Sequence, residues 1–209
     1  MMSLARGDRT AFRICFIGDS FVNGTGDDEN LGWVGRLCAA AATAGHDITC
    51  YNLGIRRDTS GDVLARWQQE IERRRPPEGA LHLIFSFGSN DCILDHVTGK
   101  PRLSPEQSLA NAAAILAAAR RDYPVLMVGP LPVGDDGADR RIARLSRGLA
   151  MLCENLGTPY LEVFAAMAGC TEWRVEAAAR DGAHPNAKGY AALAAVIGAW
   201  PAWQDWLRD

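Results

Sequence analysis

None of the six cysteines (Cys15, Cys38, Cys50, Cys92, Cys153, Cys170) forms a C-x-x-C pair, and most lie inside apolar stretches. Reduced, buried thiols are the simplest reading, which favours a reducing cytosol. Positive charge is not in excess either: 22 Lys and Arg stand against 25 Asp and Glu, for a net charge of -3. No basic field steers the chain toward nucleic acid or anionic lipid, so neither is implied as a partner. Nor does any run approach the ~20 apolar residues that span a bilayer. Arg6 and Arg9 precede an apolar stretch, but Arg13 interrupts it and Gly18 ends it, too short for the apolar core of a signal peptide. The expectation is a cytoplasmic protein without integral membrane association. Gly24 and Gly26 suggest a phosphate loop, yet neither G-x-G-x-x-G nor G-K-[ST] is present, which argues against a P-loop or dinucleotide site.

What is present fits one domain. The 209 residues are 48% hydrophobic and 22% charged, ordinary for a globular chain that buries a sizeable core. Short apolar runs alternate with segments of helical period, the pattern of an α/β domain with a parallel sheet. Candidate strands are Phe12 to Ile17, Ile48 to Leu53, Leu81 to Phe87, Val125 to Val128 and Tyr160 to Val163. They lack strict alternation, as strands covered on both faces do. Helices are expected at Trp33 to Ala44, Asp62 to Arg75, after Ser104-Pro105-Glu106-Gln107, at Asp139 to Leu156 and at Asn186 to Ile197. Serine at the cap, proline at the first position and glutamine at the third make the Ser104 start the clearest. With no repeat, low-complexity tract or linker, the expected unit is 1–209, with a core of about 12–198 and a Trp-rich tail over 199–209.

In such sheets ligands bind beyond the carboxyl ends of the strands. Ser20 follows the first candidate strand, Gly54 the second and Gly88-Ser89-Asn90-Asp91 the third, so three polar loops converge on one edge. Far downstream, Asp181-Gly182-Ala183-His184-Pro185 adds a carboxylate and an imidazole on one turn. A serine hydroxyl is a poor nucleophile until an imidazole takes its proton, and the imidazole needs a partner that fixes its tautomer. Each piece also has a bland reading. Asp and Ser are good turn and cap residues, His184 alone fits a surface loop, and Asn90 is a natural turn former. Among the four histidines, His184 alone combines a carboxylate at such spacing with a loop after the last strand. His82 sits inside a strand, His46 at a helix exit, and His96 beside Asp95 is the weaker rival.

The order Gly18-Asp19-Ser20, Gly54, Gly88-Ser89-Asn90-Asp91 and Asp181-Gly182-Ala183-His184-Pro185 resembles the SGNH hydrolases, also called the GDSL esterase/lipase family. The resemblance runs from about Phe12 to Ala195. It implies a three-layer α/β/α sandwich, flavodoxin-like, with a five-stranded parallel sheet of order 2-1-3-4-5. It also implies hydrolysis of carboxylic esters without cofactor or metal. Ser20 then resembles the nucleophile, His184 the base and Asp181 its orienting partner, with the Ser20 and Gly54 amides and the Asn90 side chain as the oxyanion hole. Phe21 stands where the family usually has leucine. Arg57 stands where many members carry a second glycine, which bears on substrate class rather than chemistry.

Arg56 and Arg57, on the loop after Gly54, are candidates for binding an anionic group of the substrate, against the plainer reading of a solvated pair. Trp200, Trp203 and Trp206 recur every third residue, an apolar stripe closing the core or the edge of the sheet or, alternatively, a subunit contact in a homo-oligomer or a lipid-facing anchor. The serine of an α/β-hydrolase sits in G-x-S-x-G, which is absent. The expected substrate is a small ester with a short acyl chain, because no apolar lid segment is visible. An acyltransferase using the same acyl-enzyme and a non-catalytic flavodoxin-like binding module are the rival readings.

Overall fold

A computed structural model describes residues 11–77 and 79–208, so the segment around Arg6 and Arg9 and the last residue of the tail lie outside the described residues. Five strands form the sheet: β1 Ala11–Gly18, β2 Asp47–Gly54, β3 Leu81–Ser86, β4 Val125–Val128 and β5 Tyr160–Leu161. Every pairing is parallel and the order is β2-β1-β3-β4-β5, as expected. Nine helices accompany them among the described residues: α1 Ser20–Asn23, α2 Gly32–Thr43, α3 Ser60–Glu72, α4 Pro105–Ala119, α5 Asp136–Leu156, α6 Phe164–Gly169, α7 Thr171–Ala178, α8 Ala187–Gly198 and α9 Pro201–Trp206.

Alternation along the strands divides the interior in two. Phe12, Ile14 and Phe16 of β1, Ile84 of β3 and Leu126 and Val128 of β4 face one way, into a core shared with Trp33, Leu37, Leu193 and Ile197 of α2 and α8. Cys15 and Ile17, then Leu83 and Phe85, then Val125 and Met127 face the other way, against Trp67, Ile115, Leu116 and Leu145 of α3, α4 and α5. Both faces are buried, which is why the central strands read as unbroken apolar runs.

Register decides where the loops emerge. Gly18 of β1 pairs with Gly54 of β2 on one side and Ser86 of β3 on the other, so all three strands end at one level. The loops carrying Ser20, Arg57 and Asn90 therefore leave from one edge.

Local signals explain most of the boundaries. Ser104 and Gln107 form a capping box at α4, and Thr59 and Asp62 form one at α3, two residues ahead of the expected start. Helix α5 begins earlier than expected because Asp135, rather than a residue nearer Asp139, caps it by accepting the Ala138 amide. Asp139 instead accepts the amides of Val133 and Gly134. Strand β5 stops two residues short of the expected Val163, where the chain turns into α6.

The C-terminal tryptophans pack inward. Trp203 is 2% exposed within the first core, and Trp200 and Trp206 pack against that core. The Trp206 ring also meets His82 edge-on at 4.7 Å. Trp203→Ala removes a fully enclosed indole and should cost about 3–5 kcal/mol of unfolding free energy. A urea transition lowered by that amount is the expected result, and a shift under about 1 kcal/mol would mean that the tail is not part of the core.

Candidate active site

Strand β1 delivers the chain into Asp19, whose side chain accepts the Phe21 amide at 3.0 Å and caps the single turn α1. Ser20 is the first residue of that turn and is nearly buried. The downstream turn folds on its own carboxylate: Asp181 Oδ1 accepts the amides of Ala183 at 3.0 Å and His184 at 2.9 Å. Its other oxygen, Oδ2, lies 2.6 Å from His184 Nδ1. On the far side of the ring, Nε2 lies 2.8 Å from Ser20 Oγ. The structure thus brings Ser20, His184 and Asp181 into one hydrogen-bonded chain across 164 residues of sequence. The Phe21 ring lies against the imidazole, centroids 4.9 Å apart.

Electrostatics follow from these contacts. Partial burial pushes the Asp181 carboxyl up, but the hydrogen bonds from the His184 backbone and ring and the Ala183 amide outweigh it and bring the group down to about 2. Asp181 is therefore an anion at neutral pH. Asp19 is the reverse case. Its complete burial drives the carboxyl up to about 7 against the opposing Phe21 amide, with Asp91 and Asp58 adding repulsion.

Asn90 begins a 3₁₀ turn, Asn90–Cys92, and its Nδ2 donates to the Asp58 carbonyl at 3.0 Å and reaches Asp19 Oδ2 at 3.5 Å. Its neighbours lock the loop. Ser89 Oγ donates to the Leu131 carbonyl and accepts the Leu131 amide, while Asp91 Oδ1 accepts the Ser60 amide at the start of α3.

Gly54 requires a correction to the expected oxyanion hole. Its amide already donates to Asn52 Oδ1 at 3.0 Å, so it is not a spare donor. The residue must be glycine for packing: a Cβ there would sit 2.1 Å from the Asn23 nitrogen and 2.7 Å from the Asp19 carbonyl oxygen. Arg57, three residues on, has a φ of 73°, and no acceptor lies on its amide among the described residues. Its carbonyl accepts Arg102 Nη1 at 2.6 Å. The Arg56 and Arg57 side chains are exposed, and neither pairs with an acid among the described residues.

Two residues that sequence reasoning missed hold these loops together. Asn52 Nδ2 donates to the Val22 carbonyl at 2.8 Å, tying α1 to β2. Arg66 of α3 donates to the Gly18 carbonyl at 2.9 Å and to Asp58 Oδ2 at 2.7 Å, joining the nucleophile turn to the loop that Asn90 touches. An arginine within a helical pattern carries no mark of this role. Among the described residues no group of three His, Cys, Asp or Glu is gathered as a metal site would require.

Comparison with known proteins bears on the family and the fold. The model of the GDSL-like lipase/acylhydrolase family matches residues 16–192. The fold is similar to that of a lipase/acylhydrolase from Enterococcus faecalis, with 24% identity, a TM-score of 0.72, and 90% of this chain and 93% of that one covered. It is also similar to Axe2, an acetylxylan esterase from Geobacillus stearothermophilus (18% identity, TM-score 0.76, 93% and 97% covered). A third similar structure is the psychrotrophic esterase EstA from Pseudoalteromonas sp., inhibited by monoethylphosphonate (19% identity, TM-score 0.70, 94% and 99% covered). No curated protein matches the sequence. With a family model covering most of its length, the chain belongs to the GDSL-like lipase/acylhydrolase family of ester-hydrolysing enzymes.

Proposed function

We propose that the protein is a serine esterase acting on small carboxylic esters with short acyl groups, through an acyl-enzyme on Ser20. The observation that carries this reading is the contact chain Asp181 Oδ2 to His184 Nδ1 at 2.6 Å and His184 Nε2 to Ser20 Oγ at 2.8 Å. Both distances lie within the reach proton transfer needs. Asp19 is the other conceivable base, because its carboxyl is driven to about 7, but its oxygens face the Phe21 amide and Asn90. Geometry comes before acidity in choosing a base, and it favours His184.

In this mechanism His184 Nε2 takes the Ser20 proton as Oγ attacks the ester carbonyl. Ionised Asp181 holds Nδ1–H and stabilises the imidazolium. The tetrahedral oxyanion is received by the Ser20 amide and Asn90 Nδ2. For Asn90 the long 3.5 Å contact to Asp19 is the one a substrate oxygen displaces, while the 3.0 Å bond to the Asp58 carbonyl keeps the amide oriented. The unengaged Arg57 amide replaces that of Gly54 as the third donor. Collapse expels the alcohol, protonated by His184. A water deprotonated by the same imidazole then releases the acid. The fold similarity to a protein named as an acetylxylan esterase supports a short acyl group, and an acetylated sugar is the first natural class to test. Passing the acyl group to an alcohol would use the same intermediate, and product analysis with added alcohols separates the two outcomes. The exposed guanidiniums of Arg56 and Arg57 are proposed to favour esters bearing a negative group.

Ser20→Ala should abolish both hydrolysis of p-nitrophenyl acetate and labelling by a fluorophosphonate probe. Retention of either excludes Ser20 as nucleophile and revives the non-catalytic reading. Because an imidazole must be neutral to accept a proton, kcat/KM should fall on acidification; a profile flat to pH 4 would contradict the role of His184.

Arg57→Gly suits the left-handed backbone and keeps the amide, so turnover of neutral esters should stay within about twofold. KM should rise for anionic esters only, and an equal rise for both classes removes the binding role.

Asp19 adds a pH-dependent stability term. Its folded value of about 7 lies above the ordinary carboxylate range, so its contribution is complete in acid, below about 4, and is lost as pH rises through about 7. Asp19→Asn should therefore reduce the loss of unfolding free energy between pH 5.5 and pH 8.5, followed in urea. A loss as large as in the parent would show that Asp19 ionises without penalty.

A further inference from the structure

The turn that presents His184 is gripped from outside on both flanks. Arg180, immediately before Asp181, donates through Nη1 and Nη2 to Asp28 Oδ1, both at 2.9 Å. Asn186, two residues after His184, donates through Nδ2 to Asp28 Oδ2 at 2.7 Å and accepts the Asp28 amide at 2.9 Å. One carboxylate on the loop that follows the Ser20 turn thus brackets the Asp181–His184 segment. Glu176 of α7 supplies the second grip. Its Oε2 accepts the amides of Asn186 at 2.9 Å and Gly189 at 2.8 Å, and Oε1 accepts that of Lys188 at 3.3 Å. These amides open α8, whose cap is Asn186.

The same interface is closely fitted elsewhere. Tyr190 Oη donates to the Thr25 carbonyl at 2.7 Å, and a Cβ at Gly26 would stand 2.9 Å from the His184 Cβ. Nothing in the Ser20–His184–Asp181 chain itself fixes the turn against the nucleophile's loop. Without an external hold, the Nε2 to Oγ distance would depend on one hydrogen bond between side chains from opposite ends of the sequence.

We propose that Asp28 and Glu176 are positioning residues for the base: between them they clamp the Asp181–His184 turn so that the imidazole meets Ser20. The inference rests on reading His184 as the base of an esterase. Asp28 and Arg180 are exposed, and exposed pairs add little to stability. A misplacement near 1 Å can nonetheless slow a reaction by about a hundredfold. The two effects therefore separate: loss of the clamp should lower turnover far more than it lowers the melting temperature.

Asp28→Ala and Glu176→Ala in the full chain test this. With p-nitrophenyl acetate each should lower kcat by about tenfold or more, with KM within about twofold, and should slow fluorophosphonate labelling in parallel. The low-field proton resonance of His184 Nδ1–H should broaden or move upfield in both. Glu176→Gln keeps an amide oxygen for the Asn186 and Gly189 N–H groups and should restore most of kcat. Asp28→Ala, on an exposed loop, carries the test if Glu176→Ala does not fold. A parent protein that is never labelled at Ser20 defeats the esterase reading. A parent that is labelled, with variants matching it in kcat, labelling rate and proton resonance, defeats the clamp alone. So does a Glu176→Gln enzyme as slow as Glu176→Ala.

Discussion

The hydrogen bond between His184 Nε2 and Ser20 Oγ is the contact on which the rest of the arrangement depends. Its two partners are separated by most of the chain, and only the tertiary fold can unite them. Parallel pairing that ends β1, β2 and β3 at the level of Gly18, Gly54 and Ser86 places the first three loops together. The helical layer over the first core then returns the late segment, α7 and α8, to the same edge. Two carboxylates at the site serve opposite ends. Asp181 is held ionised by the amides and ring of its own turn, whereas Asp19, sealed under the nucleophile, is held toward its neutral form by burial. An ionised group beside the imidazole favours the charged imidazolium that the proposed transfer creates.

Polar crowding around Asn90 needs compensation. Asp19, Asp58 and Asp91 all lie nearby, and burial raises each of them. Arg66 answers Asp58 directly and also holds the Gly18 carbonyl, so one guanidinium links the end of β1 to the loop that carries Arg57. Burial and mutual repulsion push these acids up while the Arg66 guanidinium pulls Asp58 down. The Asn52 bridge to Val22 and Gly54 and the double bond between Ser89 Oγ and Leu131 complete a frame in which every loop of the site is tied to a neighbour.

Much of this was legible in the residues. The five apolar runs announced the sheet because both of its faces are buried, and Ser104 and Gln107 marked α4 because a capping box is a local device. The Ser20, Asp181 and His184 side chains stood out because few residue types perform that chemistry. What sequence could not show was tertiary in origin. Gly54 looked like a donor, but the engagement of its amide by Asn52 depends on where β2 ends. Nothing in the sequence marks Arg66, Asp28 and Glu176, since their partners lie 48, 158 and 10 residues away or belong to another element. Helices α6 and α7 were missed because six and eight residues hold too few turns to establish a period. The tail tryptophans showed a stripe without showing what it faced, which is the first core beside His82.

The proposed mechanism passes through a covalent intermediate at one hydroxyl, which trapping would reveal. Acid quenching of the enzyme during turnover of p-nitrophenyl acetate, followed by intact-mass and peptide analysis, tests it most directly. One acetyl group on the peptide containing Ser20, absent from the Ser20→Ala protein, is the predicted result. Undiminished hydrolysis with no adduct, or an adduct confined to another residue, would contradict it.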